Sequence, residues 1–158
     1  MATRTGTLIA QGAPASPAVL VPGLVVLLMV LAFLFLPWAV VEASRSDFLL
    51  VTVFLGGGAA WLTGRSIAGT WRSYRQAVIY AVLLGCVVRF FHYALFEGTL
   101  LSWHYFLTDT AFLLAVTTLG FRAERARQMG TRYGWLYRQA GPFGWTEGVP
   151  SATHGDTA

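Results

Sequence analysis

Residues 85–112 read GCVVRFFHYALFEGTLLSWHYFLTDTAF, the tail of one apolar helix, a short turn and the head of the next. Within otherwise membrane-like sequence they carry Arg89, His92, His104 and Asp109. An ionisable side chain is expensive in lipid and is by default a functional-site hypothesis. The reading of the whole chain turns on where these four residues lie and what they meet.

Counting gives their depth. Arg89 lies eight residues inside Glu97, or ~12 Å at 1.5 Å per residue. Asp109 lies nine residues inside Leu100, or ~13 Å. Antiparallel neighbours joined by the turn Glu97-Gly98-Thr99 bring the two opposite charges to one level. A unit charge near the bilayer centre costs roughly 2.5–3.5 kcal/mol on insertion scales, which favours pairing. An Arg89–Asp109 ion pair is therefore expected. Gly85, Arg89, His92 and Phe96 share one stripe of the first helix, and Ser102, Tyr105, Asp109, Phe112 and Val116 one stripe of the second. Tyr105, one turn above Asp109, is placed to hydrogen-bond His92 or the carboxylate. His104 lies well round the helix from Asp109 and outside the cluster.

Outward from this hairpin, composition points to the bilayer. The 158 residues are 56% hydrophobic and 11% charged, with a mean hydropathy of +0.59, where soluble domains carry about 25% charged residues. The net charge is +4 and all 11 basic residues are arginine. They flank apolar runs, so lipid headgroups fit them better than nucleic acid. The lone cysteine, Cys86, allows neither a disulfide framework nor a Cys-based metal site within one chain.

The expected architecture is an all-α membrane protein with four transmembrane helices, both termini cytoplasmic, and a short C-terminal amphipathic helix. Residues 1–17 and 146–158 are small, polar and Gly- or Pro-bearing, and are expected to be disordered. Spans are expected at about 18–41, 48–63, 77–96 and 100–121. The first carries Pro22 in its opening turn and Pro37 near its end. A cleaved signal sequence ending at Ala43 is the alternative for that run, but a single Arg4 before it and its length favour a permanent span. In the second run Gly56, Ala60 and Gly64 form a small-xxx-small stripe that lets another helix approach closely, and that admits a homo-oligomer.

With four spans, one side of the membrane receives nine arginines and the other only Arg45. That bias puts both termini in the cytoplasm. Residues 122–145 then form a cytoplasmic basic-aromatic segment. Met129, Tyr133, Leu136, Tyr137 and Ala140 mark one apolar stripe of a helix, with Arg125, Arg132 and Arg138 mostly elsewhere. Gly130 and Gly134 each weaken that helix by ~1 kcal/mol relative to Ala. Arg125, Arg132, Tyr133, Trp135, Leu136, Tyr137 and Arg138 are the candidate membrane-surface or partner residues, serving either an anionic leaflet or a docking partner.

Chemistry is sparse. His92 and His104 lack a third convergent ligand, so no metal site is expected. No G-x-S-x-G, HExxH or paired carboxylates occur, so neither catalysis nor a cofactor is expected.

FLLVTVFLGGGAAWLTGRSIAGTWR (48–72), HYFLTDTAFLL (104–114) and RARQMGTRYGWLYRQAGPFGW (125–145) resemble a family of short bacterial inner-membrane proteins known only as a domain of unknown function. The run Tyr133-Gly134-Trp135-Leu136-Tyr137 is the most specific part. Typical members begin near the second span, so residues 18–41 are a departure. The resemblance implies proteins associated with branched-chain amino acid ABC transporters and offers no catalytic or binding residues to carry over. Three functions are compatible with this. The chain could be a non-catalytic accessory or assembly subunit of such a transport complex, with membrane lipids and other membrane-protein subunits as partners. It could be a small oligomeric transporter or ion conduit using Arg89, His92 and Asp109. It could be a membrane-tethered adaptor recruiting a soluble protein through its tail.

Overall fold

The computed structural model describes residues 16–42, 44–96, 99 and 102–147. Four helices in it are long and apolar enough to cross a membrane. Of the ends expected to be disordered, 1–17 and 146–158, residues 1–15 and 148–158 lie outside the described residues, as do the Ala43 cleavage site and most of the turn at 97–101; Pro17 instead opens a helix, and Thr146 and Glu147 lie in a strand.

Helix α1 spans Pro17–Phe35, ~28 Å of rise. Pro17 sits at its first position, where a missing N–H costs nothing. The helix ends where Leu36 precedes Pro37, because a residue before proline is pushed out of the helical region. A single 3₁₀ turn, Pro37–Ala39, follows. Pro22 is the one fully buried residue of α1, and Val26 and Met29 pack half-buried against the core.

Helix α2 runs over Arg45–Gly69. Its N-cap is Ser44, whose Oγ accepts from the backbone N–H of Ser46 at 3.2 Å. From Phe48 to Gly57 the backbone is π-helical. The buried pairs Val51-Thr52 and Gly56-Gly57 repeat at five residues, the interval of π-type hydrogen bonding. At the far end Thr70-Trp71 closes the helix. Trp71 N–H bonds Ala68 O at 3.0 Å and Arg72 N–H bonds Ile67 O at 3.2 Å, the paired bonds of a Schellman cap. Trp71 takes the left-handed position with φ +59, which costs a non-glycine residue roughly 1–2 kcal/mol.

Helix α3 is Tyr74–Phe96 and α4 is Trp103–Arg132. The fourth helix runs eleven residues beyond the expected end at Phe121, since nothing between Phe121 and Gly130 opposes it. The buried Glu124 carboxylate and the exposed Arg127 pair at 2.5 Å, an i,i+3 bridge that supports a helix.

The expected C-terminal amphipathic helix does not form. Residues 133–147 instead make a tight turn and an antiparallel hairpin of β1 (Tyr137–Gln139) and β2 (Trp145–Glu147), with Arg138 opposite Thr146. The helix ends at Arg132, Gly134 falls in the tight turn that follows, and Gly141 at φ +76 lies between the two strands. The hairpin folds back on the bundle. Phe143 meets Trp61 edge-on at 6.4 Å, and the Arg122 guanidinium stands 4.8 Å from the centre of the Trp145 ring.

The core is a seam between α2, α3 and α4 built on Val51, Ala60, Val88, Phe112 and Leu113. Glycine makes the crossing possible. A Cβ on Gly64 would collide with the Thr117 carbonyl oxygen, and one on Gly120 would lie 2.5 Å from the Trp61 carbonyl. One on Gly56 would sit 3.0 Å from Leu113 and Val88 side chains. The small-residue stripe of Gly56, Ala60 and Gly64 is thus spent inside the chain on α3 and α4, and is not a free surface for a second copy.

Candidate functional site

The polar residues of the membrane hairpin gather where the ends of α1 and α3 meet the start of α4. Arg89 is 4% exposed, His92 7% and Asp109 2%. The shared stripe on α3 faces inward as the spacing requires: Gly85, Arg89 and His92 are buried and Phe96 is half-buried.

The expected Arg89–Asp109 ion pair is not made. Arg89 Nη2 donates instead to Glu42 Oε2 at 2.5 Å and to the carbonyl oxygen of Thr99. A long guanidinium stem reaches past the level of its own Cα toward the wetter interface, and Glu42, in the connection between α1 and α2, waits there. Glu42 Oε1 accepts from Thr99 N–H at 2.9 Å and from the Thr99 hydroxyl. Glu42 and Thr99 therefore clip the α1–α2 connection to the α3–α4 connection, with Arg89 beneath them. Burial opposes the charged form of Glu42, but the hydrogen bonds from Thr99 and Arg89 outweigh it and hold its carboxyl below the usual 4.5.

Asp109 finds a different partner. Thr52, fully buried in the π-helical stretch, sets its hydroxyl 3.2 Å from Asp109 Oδ1 and 2.9 Å from His92 Nε2. A hydroxyl has one proton to give. Donated to Asp109, it leaves Thr52 to accept from His92 Nε2–H, an assignment that follows from the network. The π-helical spacing is what aims Thr52 at both.

Tyr105 bonds neither His92 nor Asp109. Its hydroxyl donates to the Trp38 carbonyl at 3.4 Å, and its ring lies 5.7 Å from the Arg89 guanidinium. His104 stands apart as expected, with Nε2 2.7 Å from the carbonyl oxygen of Ala39. Among the described residues no three His, Cys, Asp or Glu side chains converge as a metal site would need.

Glu42, Thr52 and Thr99 are the members that counting along the hairpin missed. Thr52 is the only hydroxyl in the run Phe48–Leu62, which was its available signal. Glu42 lies just before the second span, on the side of the membrane where α3 ends, and so was within reach of Arg89 on the topology alone.

At the opposite end of the bundle the candidate tail residues divide. Arg125 turns inward: Nη2 donates to Arg72 O at 3.1 Å and the guanidinium stacks 4.4 Å from the Trp71 ring centre. Tyr133 meets Trp71 edge-on at 6.2 Å, and Tyr137 begins β1 half-buried. Arg132 and Arg138 are exposed. Trp135 and Leu136, in the tight turn closed by Leu136 N–H on Tyr133 O at 2.9 Å, are the outermost apolar pair, 72% and 51% exposed.

A bundle of four helices apolar enough to cross a membrane, with a polar network at one end and a β-hairpin at the other, is the class these features define. The chain belongs to a family described as a domain of unknown function (DUF6867), whose model matches residues 43–148. That region takes in α2 through β2 and leaves α1 outside. Neither the curated proteins nor the solved structures compared with it contain a match.

Proposed function

We propose that this protein is a non-catalytic accessory or assembly subunit of a membrane transport complex, set in the bacterial inner membrane with both termini in the cytoplasm. The exposed turn at Trp135 and Leu136 carries this reading. Large apolar side chains held in a defined turn, flanked by Arg132 and Arg138, have the composition of protein-interface anchors. The polar core adds support, because Arg89 Nη2, His92 and Asp109 each find a partner within the chain, as members of a structural network do. The nine-to-one arginine bias supports that orientation, in which the hairpin would lie on the cytoplasmic face. A branched-chain amino acid ABC transporter is the complex that the family resemblance suggests.

Affinity capture of the full chain from native membranes in mild detergent, read by mass spectrometry, tests this. Recovery of transporter subunits with the wild type, and their loss with Trp135→Ala/Leu136→Ala, is the expected result. A lone monomer in both cases sinks it, and a soluble protein captured without membrane subunits points to a tethered adaptor.

A second reading, a small transporter or ion conduit, rests on the Thr52-bridged contact between His92 and Asp109, a hydrogen-bonded chain inside the bilayer. Flux in reconstituted vesicles that survives Asp109→Asn removes it.

A further inference from the structure

Between α1 and the bundle runs a cleft of about 600 Å³, within the roughly 300–1,000 Å³ of small-molecule sites. Its walls are apolar, with Val21 and Val25 on one side and Ala111 and Leu114 on the other. Its mouth is not. There Tyr74 and Thr118 hydrogen-bond each other at 2.8 Å, and Arg122 closes the end.

Arg122 is out of keeping with such a wall. It is 8% exposed, and no carboxylate among the described residues pairs with it. Nη2 has one weak neutral partner, Ser16 Oγ at 3.3 Å, and Nε has none among the described residues. The face of Trp145 supports the guanidinium at 4.8 Å without satisfying its donors. A buried cation with spare donors calls for an anion.

Depth identifies the anion. Arg122 lies 19 residues from Trp103 at the other end of α4, ~28 Å away along the axis, which places it at the opposite headgroup level. From Arg122 the cleft extends inward to Ala111, eleven residues or ~16 Å toward the bilayer middle. A charged group at headgroup depth above an apolar slot of that length is the shape of one phospholipid.

We propose that this cleft is a binding site for a single anionic phospholipid, with its phosphate on Arg122 and an acyl chain between α1 and α4. The lipid then completes the wall that α1 leaves open, and its headgroup takes up the Arg122 donors. The site is independent of the transport-subunit reading.

Native mass spectrometry of the full chain in mild detergent tests it, with dioleoyl phosphatidylglycerol and dioleoyl phosphatidylcholine as probes. The first bound lipid should favour phosphatidylglycerol by about fivefold, the effect of one basic contact at a headgroup. Arg122→Gln should abolish the preference, and Arg45→Gln, an exposed arginine at the start of α2 at the other end of the bundle, should keep it. Equal affinity for the two lipids in the wild type overturns the proposal, as does a preference that survives Arg122→Gln or is lost equally in Arg45→Gln. If Arg122→Gln fails to fold by circular dichroism, Val21→Trp decides. It fills the cleft from the outward side of α1 and leaves every charge in place, so undiminished phosphatidylglycerol binding overturns the proposal.

Discussion

Arg89, inside α3, meets Glu42, in the connection before α2, at 2.5 Å across 47 residues of sequence. Arg89 is 4% exposed and the Glu42 side chain 18%. Removing the carboxylate strands a buried cation, whereas neutralising Asp109 leaves Arg89 its partner. Glu42→Gln should therefore lower thermal stability in detergent more than Asp109→Asn, by about 2 kcal/mol. Equal effects would restore the Arg89–Asp109 pairing that depth alone suggests.

The same carboxylate sets a pH dependence. Its folded-state pKa lies below the ordinary 4.5, through hydrogen bonds that outweigh burial. A depressed carboxyl contributes stability above its unfolded pKa and loses it as pH falls through the folded value. The difference in melting temperature between wild type and Glu42→Gln should hold steady near neutral pH and shrink below about 4.5. A difference that grows in acid would reverse the sign.

Thr52 is the test of the inner network. Thr52→Val keeps the shape and deletes the hydroxyl, leaving Asp109 and His92 buried without their bridge; the cost should be about 1–3 kcal/mol. Thr52→Ser, which restores the hydroxyl, should recover most of it. Melting in detergent decides, and equal stability of Val and Ser variants would make the bridge dispensable.

Where α2 crosses α4, one methyl should be felt. Gly64→Ala drives a Cβ into the Thr117 backbone, while Gly58→Ala enters open space. The first should destabilise by about 1–3 kcal/mol. The second should be neutral or stabilising by up to about 1 kcal/mol, since alanine is the better helix former.

Arg125 guards the α2–α3 turn. Its stack on Trp71 and its bond to Arg72 O hold a residue with φ +59 that prefers another conformation. Arg125→Ala should raise hydrogen exchange at residues 70–73 by about tenfold, with the core amides unchanged. Uniform exchange across the bundle would mean that Arg125 serves the whole fold.

Much of this was legible in the chain. Long apolar runs marked the helices, and the i, i+4, i+7 spacing put Gly85, Arg89 and His92 on one buried face. Gly56, Ala60 and Gly64 announced a close crossing, though not with which helix. Arg89's partner was hidden because depth was counted at the backbone, while a guanidinium acts several ångströms away. Thr52 was hidden because an α-helical reading of Phe48–Gly57 does not turn it toward both His92 and Asp109. The tail misled because one stripe at helical spacing is also what a turn followed by a short strand presents when its aromatics fold onto a neighbouring surface.

At Gly64 and Gly120 the two longest helices touch main chain to main chain. A joint of that kind has no rotamers to rearrange, so it transmits a push without absorbing it. Force applied at the hairpin end of α4 reaches the Glu42–Thr99 clip as a displacement of the whole beam. Flexure is left to α1 and the hairpin, the two parts that lean on the beam from outside.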